Sequence, residues 1–288
     1  MQRIALMGLG VMGGGMAGCL LKAGFPLTVY NRSAERAKPL VEAGAHLAAS
    51  PREAAENAEV IISIVADDPA SRAMWLGESG ALAGARPGSV LIESSTLSPT
   101  WARELAAQAA AQNCEFLDAP VTGSKPHAAS GQLLFLAGGE SSVIEKVRPV
   151  FKAMGRDVLH LGPTGSGAVM KLVNNLLCGV QAASLAECLA LAEKEGLDAD
   201  KVSKVLLDGA PGSPLVKAVA ARMTGRDYSV NFSLKLMEKD LSYALAEGER
   251  HAASLKTVAV ARDLFHQAVE RGFGEKDFSA VIETLRKN

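Results

Sequence analysis

Little in this sequence favours a membrane, a metal or a nucleic acid. Its 288 residues include four cysteines, five histidines and 5% aromatic residues, and 30 basic side chains against 31 acidic ones give a formal charge of −1. With no surplus of positive charge to draw a phosphate backbone or an anionic lipid surface, neither partner is expected. Cys19, Cys114, Cys178 and Cys188 lie far apart, without CxxC or Cys/His spacing, so they read as reduced core thiols rather than zinc ligands. His46, His127, His160, His251 and His266 are equally scattered, and no metal site or Ser/His/Asp nucleophile is expected. No uninterrupted apolar run reaches about 18 residues and the start shows no cleavage pattern, which makes cytoplasmic residence the default expectation.

What is present is glycine and apolar sequence: 28 glycines and 48% hydrophobic residues, enough for two cores of moderate size. Arg3–Met7 is an apolar run of strand length that enters Gly8-Leu9-Gly10-Val11-Met12-Gly13, after which Met16–Lys22 resumes helical spacing. In such a strand–turn–helix unit the first glycine allows a tight turn, the second lets backbone approach a pyrophosphate, and the third permits close helix packing. These six positions are therefore assigned to a dinucleotide. The next strand, Pro26–Tyr30, ends at Asn31-Arg32-Ser33, where NAD-preferring proteins place an acid against the ribose 2′-hydroxyl. That acid is missing. Arg32 can pair with a 2′-phosphate, with Asn31 and Ser33 assisting, which favours NADP (NADPH) and leaves NAD possible.

Ala34–Ala43 reads as helical, and Val60–Val65 as a buried parallel strand. Val65 and Ala66 then lie at a strand's carboxyl end, where open α/β sheets bind ligands, so their backbone is assigned to the cofactor. Asp67 and Asp68 precede Pro69 and read as caps of the following helix rather than as paired catalytic carboxylates. Ser89–Glu93 is another strand, which brings Thr96 to the same rim, and a helix spans Pro99–Ala111. Glu115–Asp118 enters Ala119–Pro126, a stretch that reads as a loop able to aim consecutive N–H groups and a hydroxyl at an anion. Val158–Leu161 closes the sheet. Gly162–Gly165 is a hinge, which divides the chain into domains 1–162 and 163–288.

From Gly165 to Lys194 the apolar residues keep helical spacing, and a helix of roughly 30 residues rises about 45 Å, enough to bridge two domains. Lys171, Asn174 and Asn175 stand at i, i+3 and i+4 on one face near its start. A snorkelling lysine with two backbone-satisfying amides would account for them; so would an ammonium held beside a substrate oxygen for proton transfer. Beyond Gly196, helical stretches separated by Asp208–Pro214 and Gly225–Tyr228 suggest a bundle. Lys235 and Lys239 stand four positions apart on one helix face, and repel unless an anion lies between them or the face is solvated.

Four ordered motifs give a resemblance over essentially the whole chain. They are Gly8-Leu9-Gly10-Val11-Met12-Gly13, Asp118-Ala-Pro-Val-Thr122-Gly123 with Ala128 and Gly131-Gln-Leu133, Gly167 through Lys171 to Asn175, and Lys239-Asp240-Leu241. The chain resembles the β-hydroxyacid dehydrogenase family, which includes 3-hydroxyisobutyrate dehydrogenase, tartronate semialdehyde reductase and the glyoxylate/succinic semialdehyde reductases. The resemblance implies an α/β fold: an N-terminal Rossmann-type domain and an all-helical C-terminal domain joined by the bridging helix, with the active site in the cleft between them. It implies Lys171 as catalytic acid/base, Asn175 orienting the substrate, and Thr122, Gly123 and Ser124 on its carboxylate. Thr96 would lie by the nicotinamide ribose, and Phe232, Lys239 and Asp240 would close the site. Where the family often has Ser-Gly-Gly, this chain has Thr122-Gly123-Ser124-Lys125, nearer the glyoxylate/succinic semialdehyde reductase branch, and Lys125 can reach a distal carboxylate.

The implied activity is hydride transfer between a nicotinamide and a small aldehyde acid or hydroxy acid. Substrates would be succinic semialdehyde or glyoxylate, with 3-hydroxyisobutyrate or tartronate semialdehyde as alternatives, and the protein would be a homodimer or homotetramer. A 6-phosphogluconate-type decarboxylase would need a longer C-terminal region. A catalytically silent NADP-binding module is the rival from outside enzymology.

Overall fold

Alternate side chains of the first strand settle the architecture of the N-terminal half. In the computed structural model, which describes residues 1–286, β1 (Ile4–Met7) sends Ile4 and Leu6 into one core and Ala5 and Met7 into another. A strand buried on both faces needs continuous apolar sequence and helices above and below it. Beside it lie β2 (Leu27–Tyr30), β3 (His46–Leu47), β4 (Val60–Ser63), β5 (Val90–Glu93) and β6 (Glu115–Asp118), all parallel in the order β3-β2-β1-β4-β5-β6. The order reverses between β1 and β4. An open sheet leaves a ligand crevice at that point, outside its carboxyl edge.

The helices on the sheet are α1 (Val11–Lys22), α2 (Lys38–Glu42), α3 (Pro51–Ala55), α4 (Asp68–Trp75), α5 (Ala81–Gly84), α6 (Pro99–Ala111), α7 (Lys125–Ala129) and α8 (Ser141–Met154). Met16 and Leu20 of α1 and Val147 and Phe151 of α8 fill the core on one face; Trp75 of α4 and Trp101 and Leu105 of α6 fill the other. The stretch Ala34–Ala43 is a 3-10 turn, Ala34–Ala37, running into α2. Asp67 caps α4 by accepting the Ala70 amide at 2.8 Å, whereas Asp68 accepts the amide and hydroxyl of Ser98, the cap of α6.

Past β6 the sheet changes direction. β7 (Val121–Thr122) and β8 (Leu133–Gly138) run antiparallel to each other, and β9 (Gly155–Gly162) lies parallel to β8 at the edge, so Val158–Leu161 closes the sheet as the sequence suggests. Ala119–Pro126 is not the plain loop expected from its prolines. Val121 and Thr122 pair with Phe135 and Leu134, and Pro126 stands in the first turn of α7, where its missing N–H costs nothing.

One helix, α9 (Ser166–Lys194), runs 29 residues. Internal contacts divide the chain into two compact units, Met1–Lys171 and the remainder from Leu172, so the division falls within α9, nine residues beyond the glycine at 162. The helix starts after Gly165, whose φ of +96° admits only glycine without strain. It ends at Gly196 (φ +72°), whose amide bonds the Glu193 carbonyl while Leu197 bonds that of Ala192. This pair of bonds closes the last turn. By length and composition α9 could cross a membrane; its Ala182, Ala186 and Leu189, however, are buried in the core of the second unit, and a core helix needs the same apolar run.

The second unit continues with α10 (Ala199–Asp208), α11 (Pro214–Gly225), α12 (Leu234–Arg250) and α13 (Lys256–Ala268). Gly179 of α9 sets the approach of α12: a Cβ there would lie 2.8 Å from Leu241 and 3.0 Å from the sulfur of Met237. The expectation of four core thiols needs correcting. Cys19 and Cys114 are buried, but Cys178 is half-buried and Cys188 exposed.

Candidate active site

The three glycines of the first turn have different causes. Gly8 has φ +95°, and a Cβ on it would sit 2.1 Å from the carbonyl oxygen of Ile64; one on Gly13 would sit 1.9 Å from that of Gly8. The protein itself requires both. Gly10 is different: its φ of −72° suits any residue, and the nearest atom to a Cβ there is a guanidinium nitrogen of Arg36 at 4.0 Å. The open cradle over Gly10 fits the pyrophosphate of a dinucleotide, since Gly10 also caps α1 without a side chain and the helix presents its first-turn N–H groups and positive dipole end there.

Asn31 ties the end of β2 to this turn. Its Oδ1 accepts the Leu9 amide at 2.8 Å and its Nδ2 donates to the Ser33 carbonyl at 2.9 Å. Leu9, whose side chain lies in the core, and Asn31 thus serve each other, and the amides beyond them are what the turn offers a ligand. Arg32 and Ser33 are exposed. A cleft of about 310 Å³ is lined by Tyr30, Asn31, Arg32, Ala34, Leu47 and Ala49. Arg36, in the 3-10 turn Ala34–Ala37 that follows β2, also reaches the glycine turn, and a second basic residue shortly after Arg32 is its signal in the sequence.

At the carboxyl rim, Val65 and Thr96 are half-buried and Ala66 exposed. The Val65 amide donates to Ser95 Oγ at 2.7 Å, so the turns after β4 and β5 are linked. In the next turn Gly123 has φ +136°, and a Cβ there would meet Leu133 at 3.0 Å and His127 at 3.1 Å. Ser124 caps α7 reciprocally with His127, whose Nδ1 accepts the Ser124 amide at 3.1 Å. Because that amide is engaged, an anion at this loop is left with the Gly123 amide and the Thr122 hydroxyl.

Asp118 is the anchor beneath Lys171. Only 1% exposed, it accepts the Gly165 amide at 2.7 Å on Oδ1 and the Ala168 amide at 2.8 Å on Oδ2. A carboxylate on the first-turn amides and dipole of α9 fixes where that helix begins. Gly138 and Gly167 make room for it, since their Cβ atoms would fall 2.6 and 3.0 Å from its oxygens. Burial pushes the Asp118 carboxyl up to about 6, against the lowering effect of the amides. Lys171, three residues past Ala168, is half-buried in the first unit.

Asn175, Phe232, Lys239 and Asp240 belong to the second unit, and three of them form a cluster. Asn175, 5% exposed, donates to Asp240 Oδ2 at 2.5 Å and accepts from Asn174 at 2.9 Å. Lys239 Nζ lies 3.0 Å from the other oxygen of Asp240 and 4.9 Å from the ring centre of Tyr243. Phe232 instead packs edge-on against Phe278. Lys235 and Lys239 need no anion between them, contrary to one expectation from their spacing. Lys235 pairs with Glu275 and Lys239 with Asp240, so each ammonium has its own carboxylate. Among the described residues no group of three metal-ligating side chains occurs.

A dinucleotide-binding domain of Rossmann type followed by a helical unit, with a lysine placed by a buried cap, defines the class: an NAD(P)-dependent oxidoreductase. Comparison with known proteins narrows it. Residues 3–162 match the family model described as the NAD binding domain of 6-phosphogluconate dehydrogenase, and residues 165–285 that described as NAD-binding of NADP-dependent 3-hydroxyisobutyrate dehydrogenase. The chain is 38% identical to a Pseudomonas aeruginosa NAD-dependent L-serine dehydrogenase, over 98% of this chain and 97% of that one. It is 35% identical to glyoxylate/succinic semialdehyde reductase 1 of Arabidopsis thaliana, over 99% of each. The structure of Mycobacterium tuberculosis 3-hydroxyisobutyrate dehydrogenase with L-serine superposes with a TM-score of 0.89 at 32% identity, over 100% of both chains. The chain belongs to the β-hydroxyacid dehydrogenase family.

Proposed function

We propose that the protein is an NADP-preferring reductase of short aldehyde acids, of the succinic semialdehyde or glyoxylate kind, with Lys171 as proton donor and acceptor. The observation that carries this reading is the placement of Lys171 one turn into a helix whose start is fixed by the Asp118 carboxylate. When bound, the nicotinamide supplies or accepts the hydride. Lys171 gives its proton to the substrate oxygen as negative charge grows there, and takes it back in the oxidative direction. Until that proton moves, the lysine's positive charge stabilises the oxygen. The Thr122 hydroxyl and Gly123 amide hold the substrate carboxylate, which orients the carbonyl for reaction. Ser124 shapes this loop through its cap, and Lys125 is placed for a carboxylate distal to the carbonyl, as in succinic semialdehyde. Asn175, held by Asp240, presents a fixed amide one turn beyond Lys171.

The NADP preference rests on Arg32 and Arg36, two guanidinium groups near the end of β2 and the glycine turn with no acid at Asn31-Arg32-Ser33. A second reading, oxidation of L-serine, is favoured by the serine dehydrogenase among the relatives. Serine carries an ammonium that the aldehyde acids lack, and Lys125 repels it. We assign the active form to a homodimer or homotetramer, with the exposed Val173, Leu177 and Leu191 of α9 offering apolar surface to a second copy; light scattering after gel filtration measures it. The wide spacing of the four cysteines along the sequence suits a reducing, cytoplasmic location.

Initial rates on glyoxylate, succinic semialdehyde, tartronate semialdehyde, 3-hydroxyisobutyrate and L-serine, each with the phosphorylated and unphosphorylated cofactor, test the reading. The highest kcat/KM should fall to succinic semialdehyde or glyoxylate with NADPH. A lead for L-serine with NAD would replace it, and absence of turnover with every pair would leave a binding module.

A further inference from the structure

We infer that Glu93 is a positioning residue for the nicotinamide half of the cofactor, acting through Ser95 on the backbone of Val65; the inference rests on the dehydrogenase reading above. Glu93 is 1% exposed at the carboxyl end of β5. Its Oε2 accepts the Ser71 hydroxyl at 2.6 Å and the Trp75 indole N–H at 2.7 Å, and its Oε1 accepts the Ser95 amide at 3.0 Å. Ser71 has one hydrogen and gives it to Glu93, so its oxygen accepts the Trp101 indole N–H at 2.9 Å. Ser95, held by its amide, turns its own oxygen to the Val65 amide at 2.7 Å.

The direction of every bond follows from this count. Only donors face Glu93, so the side chain works as an acceptor at both oxygens, as an ionised carboxylate does. Burial pushes its carboxyl above the ordinary range in spite of these bonds. Packing alone gives no reason to keep such a group, since an apolar side chain of similar volume would fill the site at lower cost. What the carboxylate does that no apolar residue can is fix Ser95, and through it Val65. The two turns so joined are the ones carrying Val65, Ala66 and Thr96, assigned above to the cofactor. The network draws on α4, α6, β5 and the turn after β4, all within the first unit.

Glutamine at this position is a sharp probe. Its amide has one acceptor: with the oxygen kept toward Ser71 and Trp75, its NH₂ meets the Ser95 N–H, donor against donor, and the link to Val65 is lost while the indoles stay paired. Trp75 and Trp101 are the chain's only tryptophans, so their emission reports on this network directly. The experiment is titration of wild-type protein, Glu93→Gln and Ser95→Ala with NADP⁺ and NADPH, followed by tryptophan emission, together with steady-state KM for cofactor and substrate. Wild type should change its emission on binding NADP⁺. Both variants should lose most of that change and show a cofactor Kd and KM raised about tenfold, with substrate KM within about twofold. Ser95→Ala keeps the Glu93 bond to the residue 95 amide, so it tests the link even should Glu93→Gln fold poorly. Unchanged cofactor affinity in Ser95→Ala overturns the inference, as does an equal rise in both KM values. Wild type that binds neither cofactor overturns the dehydrogenase reading itself, and this inference with it.

Discussion

Glu93 and Asp118 are neighbours in the register of β5 and β6, each 1% exposed, yet they are held by different partners. Asp118 is satisfied by backbone amides at the start of one helix. Glu93 is satisfied by two side chains of α4 and one amide of its own turn. The difference teaches what each can position. Amides at the start of one helix move together, so Asp118 controls a rigid element and the lysine on it. Donors from separate segments move separately, so Glu93 controls how adjoining turns fit together.

The largest break in this comparison is Asp118→Ala. It leaves two buried amides unpaired, at about 1–3 kcal/mol each, and should lower stability by roughly 3 kcal/mol in urea unfolding and turnover by at least about tenfold. Asp118→Asn sharpens it. The folded carboxyl lies at about 6, above its unfolded value, so the stability it contributes is complete below about pH 4 and lost as pH rises through 6. Asparagine should therefore cost little stability at pH 7. It accepts with one oxygen only, so Lys171 should be misplaced and kcat reduced. In wild type, kcat should fall as Asp118 gains its proton near pH 6, and that limb should vanish in Asp118→Asn.

Away from the two carboxylates the expected effects shrink. Arg32→Ala with Arg36→Ala should raise KM for NADPH about tenfold and leave that for NADH within about twofold, which steady-state kinetics with each cofactor reads. His127→Ala removes half of an exposed reciprocal cap, worth about 1 kcal/mol at most, and should raise substrate KM only a few-fold.

The same contrast explains what was legible in the sequence. The glycine turn, the strands through β6 and α9 from Ser166 to Lys194 are carried by neighbouring residues, and local spacing reveals them. The Asp118 motif was visible, but not that its carboxylate caps a helix 47 residues later. The Glu93 network could not be read at all, because residues 65, 71, 75, 93, 95 and 101 meet only once four elements have packed. Ala119–Pro126 misled because its prolines suggest a loop throughout, while pairing to β8, itself unforeseen, made a short strand of Val121 and Thr122. The lysine pair on α12 misled for a related reason: the carboxylate that answers Lys235 is Glu275, forty residues away.

The central claim is that the amine of Lys171 moves the proton, and Lys171→Ala tests it most directly. Cofactor affinity, read by NADPH fluorescence titration, should stay within about twofold of wild type, while kcat on the best aldehyde acid falls by a factor on the order of 10² to 10⁴. A variant that binds NADPH and turns over at a near-normal rate would contradict the account.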